Sequence, residues 1–193
     1  MTQPRDLLGF IDYARGQCAY AGVTLKFFAR PTLRGRETSG SIGYFHDRKR
    51  VLYVATENAE WACVAAHELG HMQQWMENSS LYDPEDCSLT FDGWLDKTRR
   101  LKPAQLHEVT RRVQRMELDA ERRALRLIKR FHLTSDLTGY IQDANLYVWC
   151  YEVARRLKAW PPRTFELQRK MPVHLISQRQ LGKPPAFIEE SVQ

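Results

Sequence analysis

"AAHELGHMQQ", residues 65–74, sets two histidines four apart with a glutamate directly after the first. On an α-helix that spacing puts His67 and His71 on one face, one turn apart, so both imidazoles can reach a single ion. Glu68 is rotated about 100° from His67. It therefore stands beside the two ligands, where a carboxylate can take a proton from a metal-held water. This is the HExxH arrangement of zinc-dependent hydrolysis, with metal-activated water and the glutamate as general base. The competing reading is two histidines sharing an amphipathic surface helix. The surrounding helix, expected from about Asn58 to Met76, leaves no such surface: Trp61, Val64, Leu69, Met72, Trp75 and Met76 are spread around it. A helix apolar on every side belongs inside the protein. Burying two histidines and a glutamate there without partners costs on the order of several kcal/mol.

A catalytic zinc usually has three protein ligands, and four other side chains compete for the third place. Glu77 would extend the first helix, but Gln74 stands where a chain turn would need glycine. His107 and His132 fall at the two ends of a second helix. The best candidate lies inside that helix, in "RRVQRMELDAERRALRLI" (111–128). Its apolar stripe runs Leu106, Val109, Val113, Met116, Ala120, Ala124, Leu127, Ile128, at spacings of three and four. Glu117 falls within the stripe, where a carboxylate is costly unless paired or bound to a metal. The competing reading of Glu117 is an ion pair with one of the flanking arginines. Glu121, one turn on, is assigned to accept the second N–H of His67, as the partners of metal-bound histidines commonly do.

Around these two helices the sequence reads as a single α+β domain over 1–162. A helix spans 6–21, with Leu7, Leu8, Ile11 and Ala14 on one side. "VTLKFFA" (23–29) is a strand, and "SIGYFHDRKRVLYVAT" (41–56) a hairpin with strands at 41–46 and 50–55. Loops are expected at 31–40 and 78–93. The long helix runs 103–131, and another starts at a Ser135 or Asp136 cap and ends at Pro161–Pro162. Residues 163–193 read as a wrapping arm, partly disordered. The 193 residues are 43% hydrophobic, enough for a packed core. No apolar run approaches the roughly 18 residues of a membrane span. The N-terminus lacks a signal-peptide core, so the cytoplasm is the expected location. Cys18, Cys63, Cys87 and Cys150 form no CxxC pair and are expected to be reduced thiols. The net charge of +6 would allow an acidic protein or nucleic acid as partner.

"HELGH" followed by a helical "ELDAE" resembles the gluzincin metallopeptidases, most of all the minimal ImmA/IrrE-like and phage-encoded minigluzincins. The matching residues are His67, Glu68, His71, Glu117, Ala120 and Glu121. The resemblance covers about residues 5–131. It implies a zincin-like fold, in which a small twisted sheet with an edge hairpin packs on the HExxH helix and a glutamate-bearing helix. It implies one zinc ion held by His67, His71 and Glu117, with Glu68 as base, acting on a protein or peptide substrate. It further implies that an edge strand of the hairpin pairs with extended substrate, with Ser41, Gly43 and Tyr44 at the contact. Two departures stand out. Arg123–Ala124 replaces the phenylalanine–alanine pair common after the glutamate motif, and residues 78–102 form a longish insert. A peptidase also needs a group beside the metal to stabilise the oxyanion, for which Tyr147, His174 and Tyr44 are the candidates. The alternative function is a regulatory or inactive binding module, contacting DNA or an acidic protein through the arginine-rich helix.

Overall fold

The protein is described by a computed structural model over residues 6–34, 40–84, 87–161, 170–182 and 185. It is a mixed α+β chain. The elements are α1 (Leu7–Ala21), β1 (Thr24–Phe28), β2 (Gly43–His46), β3 (Val51–Ala55), α2 (Trp61–Met76), α3 (Ser88–Leu95), α4 (Pro103–Phe131) and α5 (Leu137–Leu157). A 3-10 turn follows at Gln180–Gly182. Contacts sort the chain into two compact units, Met1–Ser79 with Ala120–Ser135, and Ser80–Asp119 with Asp136–Gln193. Helix α4 runs unbroken through the boundary.

The first unit holds the sheet, in the order β1-β3-β2. Central β3, "VLYVA", is buried except at Tyr53, as a strand flanked on both sides should be. It runs parallel to β1, Thr24 opposite Val51, and antiparallel to β2, Gly43 opposite Val54. Among the described residues β2 is therefore an edge of the sheet, and it forms a hairpin with β3. Asp6 caps α1 by accepting from the Gly9 N–H, and Gly22, at φ 65°, ends the helix in the left-handed conformation. The buried face of α1 differs from the expected stripe. Phe10, Ala14 and Cys18 are its buried residues, while Leu8 is 77% exposed. The i, i+4, i+8 row beginning at Phe10 takes the core because Phe10 packs on Phe131 of α4, ring centroids 5.7 Å apart.

The second unit contains α3, the first half of α4, α5 and the segment 170–182. Helix α3 begins inside the expected 78–93 loop and runs two residues past it. Cys87 and Phe91, four apart, are buried with Val113, Met116 and Tyr151, and that packing makes a helix of a stretch rich in breakers. Asp136 caps α5, accepting from the Gly139 N–H at 2.8 Å. The described part of the C-terminal arm is packed. Met171, Ile176 and Leu181 are buried with Trp149 and Val153. Fully buried Asn145 donates to the carbonyls of Pro172 and His174 and accepts from the Ile176 N–H. The disorder expected at the end of the arm concerns 186–193, and most of the connection after Pro161 is 162–169; both lie outside the described residues. All four cysteines are free. Burial pushes the thiols of Cys18 and Cys87 up to about 11 and that of Cys63 up to about 12.

Candidate metal centre

Helix α2 brings His67 and His71 together with their Nε2 atoms 3.1 Å apart. The other nitrogen of each ring faces an acceptor oxygen. Glu121 Oε1 lies 3.0 Å from His67 Nδ1, an oblique approach for a hydrogen bond but a close one for a carboxylate facing an imidazole. His71 Nδ1 donates to Gln74 Oε1 at 3.0 Å. An amide oxygen accepts only, so His71 Nδ1 carries that ring's proton, and the carboxylate of Glu121 favours a proton on the His67 nitrogen it faces. With both rings neutral in that tautomer, the two Nε2 atoms direct lone pairs into the same small space. Two lone pairs 3.1 Å apart repel unless a cation lies between them. Two nitrogens about 2.0–2.1 Å from a tetrahedral zinc would be about 3.3 Å apart, so the spacing suits one ion.

The register of α4 against α2 is set by Gly70. A Cβ there would come within 2.7 Å of the Ala120 carbonyl oxygen and 3.2 Å of the Ala120 Cα. The glycine of "HELGH" lets the two backbones touch, and that contact brings Glu121 to His67. Glu117 is one turn earlier on the same unbroken helix and is 5% exposed. His67, His71 and Glu117 each offer a ligand atom, and these atoms lie within 4.8 Å of one another. Of the other candidates for third ligand, His107 and His132 are exposed. Glu77 takes the guanidinium of Arg123 through two hydrogen bonds of 2.9 Å.

Glu117 Oε1 accepts from the Tyr151 hydroxyl at 3.3 Å, and the Tyr147 hydroxyl lies 3.0 Å from that of Tyr151. Burial first, then the charge of Glu117, raise the Tyr151 phenol well above its ordinary value. Tyr151 is therefore a neutral donor to the carboxylate. Trp160 packs edge-on against Tyr151 at 5.1 Å. His174 is exposed, and its carbonyl is the group held, by Asn145.

Glu68 is buried beneath β2, where its Oε2 accepts from the Phe45 backbone N–H at 2.8 Å. Gly43 faces the same side chain: a Cβ at Gly43 would meet Val64 Cγ1 at 2.6 Å and Glu68 Cγ at 2.8 Å. Strand alternation sends Tyr44 to the opposite face of β2, where its ring meets that of His46. The Ser41 carbonyl accepts from the Leu33 N–H at 2.7 Å.

Gln74, Tyr151 and the Phe45 N–H were not found from the sequence. Gln74 had a readable signal, since it stands one turn after His71 on a helix with no polar face. Tyr151 stands one turn after Tyr147 in an apolar segment, a weaker signal. A backbone N–H carries none. No family model matches this chain, and no curated protein or solved structure matches it. Among the described residues, no helix is long and apolar enough to cross a membrane.

Proposed function

We propose that this chain is a metallopeptidase of the minimal gluzincin kind, with a zincin-like fold, hydrolysing peptide bonds in a protein or peptide substrate. One observation carries the reading. Two imidazole nitrogens, each on a ring whose other nitrogen faces an acceptor oxygen, converge at 3.1 Å beside a buried carboxylate. His67, His71 and Glu117 would hold one divalent ion, and this donor set favours zinc. Bound there, the ion supplies Lewis acidity toward a carbonyl oxygen and lowers the pKa of a water.

The remaining work falls to the chain. Glu68 accepts a proton from the attacking water and passes it to the leaving amine. Glu121 and Gln74 fix the tautomers and orientations of the two histidines. Tyr151 donates to Glu117 and holds its carboxylate in place. Tyr147, at the more exposed end of the tyrosine pair, is the candidate donor to the oxyanion. The side of β2 away from β3 would offer extended backbone to a peptide at Gly43. The free, buried thiols suit a reducing compartment such as the cytoplasm.

Glu68→Gln tests the chemistry separately from the ion. The variant keeps its zinc, and its hydrolysis of a proteome-derived peptide library falls about 10²–10⁴-fold, the range for losing a general base. Undiminished hydrolysis would remove Glu68 from the mechanism. The alternative of a binding module working through the arginine-rich helix has less support. Arg112 pairs with Asp83 and Arg123 with Glu77, so two of those cations serve the fold itself.

A further inference from the structure

The contact between the edge strand and Glu68 has a definite direction. The Ala55 N–H donates to the Ile42 carbonyl. In an antiparallel pair this makes Ile42, Tyr44 and His46 the residues of β2 that exchange hydrogen bonds with β3, while Ser41, Gly43 and Phe45 turn their backbone groups to the side of β2 away from β3. At one end of that edge the Ser41 carbonyl is bonded to Leu33. At the other, the Phe45 N–H is bonded to Glu68 Oε2. Gly43 lies between them, and its missing Cβ is what allows the strand to rest on the Glu68 side chain.

We propose that β2 is the positioning element of the general base: the Phe45 N–H fixes one carboxylate oxygen of Glu68, and Gly43 sets the approach that makes this bond possible. The inference rests on the proposed peptidase reading for its catalytic meaning. It also narrows substrate recognition. An extended peptide pairing along β2 would exchange its hydrogen bonds with Gly43, directly above the base. It would not extend past Phe45, whose outward N–H is committed to Glu68. The contact offered to substrate is then one residue of β2 wide, and sequence preference must come from elsewhere in the site.

Protein labelled with 15N at phenylalanine tests the proposal without any substrate. The Phe45 amide is followed by proton chemical shift and hydrogen exchange. Phe10, which donates to Asp6, and Phe91, which donates to Cys87, are the references. In Glu68→Ala the Phe45 amide exchanges about 10- to 100-fold faster while the references hold, as expected for losing a charge-assisted bond. Gly43→Ala, which pushes Glu68 aside, gives the same sign. Glu68→Gln keeps an uncharged acceptor, so its exchange is intermediate and only the Phe45 amide proton moves upfield. If Glu68→Ala lowers protection at every phenylalanine, the isosteric Glu68→Gln decides by its chemical shift. An unmoved Phe45 resonance with unmoved references overturns the proposal. Zinc content of the same samples reports separately on the peptidase reading. Zinc bound with an insensitive Phe45 amide removes the positioning alone; a responsive amide without zinc removes the metal reading alone.

Discussion

At the scale of single residues, Gly70 carries a consequence of its own. Its neighbour across the helix contact is the backbone of Ala120, which cannot swing aside as a flexible side chain could. Gly70→Ala must therefore move α4 off α2 by several tenths of an ångström and draw Glu121 away from His67. A cost of about 1–3 kcal/mol is expected, the range for overpacking a tight contact. Helix propensity works in the opposite direction, since alanine is favoured over glycine by roughly 1 kcal/mol. Urea unfolding checks the balance: a clearly lowered midpoint is the expected result, and an unchanged or raised one would mean that α2 and α4 are less tightly joined than the structure has them. The residues on the two inner helix faces were largely legible in the sequence, because HExxH spacing and a carboxylate within an apolar stripe are both statements about helical period. Glu121 near His67 followed from the habit of metal-bound imidazoles to share their second proton.

At the scale of elements, Glu152 in α5 shows how charge supports a helix that is mostly buried. Its carboxylate accepts from Arg155 Nε and Nη2 at 2.8 and 2.7 Å and from Arg156 Nε at 2.8 Å. Burial raises the pKa of this carboxyl, and the two arginines more than reverse that, leaving it below its ordinary 4.5. A carboxyl with a depressed folded-state pKa adds stability that is present above its unfolded value and fades as the pH falls through the folded one. Glu152→Gln should then cost about 1 kcal/mol at neutral pH, and the deficit should vanish in acid. Thermal melts of both proteins from neutral pH to well below 4.5 check this; a deficit constant with pH would contradict it. The elements themselves were readable to within two or three residues where periodicity or capping was strong, as in α4 and at Asp136. The reading failed at α3 and on the buried face of α1 for one shared reason. In both, the deciding partner is distant in sequence: Met116 and Tyr151 for Cys87 and Phe91, and Phe131 for Phe10. Local composition carries no trace of such a partner.

At the scale of the whole molecule, the candidate centre draws on three helices. In the proposed centre α2 would supply two nitrogens and the base Glu68, α4 a carboxylate and a partner for one histidine, and α5 the tyrosine that donates to the carboxylate. Residues so dispersed converge only in the folded chain, so a metal bound by them would stabilise the fold and be stabilised by it. The most direct test is zinc binding to the intact protein, comparing wild type with Glu117→Ala by metal analysis after dialysis and by competition with a chromophoric chelator. The account predicts one zinc per wild-type chain and an affinity at least about 100-fold weaker in Glu117→Ala, since losing a direct ligand should cost no less than losing a supporting one. A wild-type chain that takes up no zinc, or a Glu117→Ala variant that binds it as tightly as wild type, would contradict the claim that these three side chains form a metal centre.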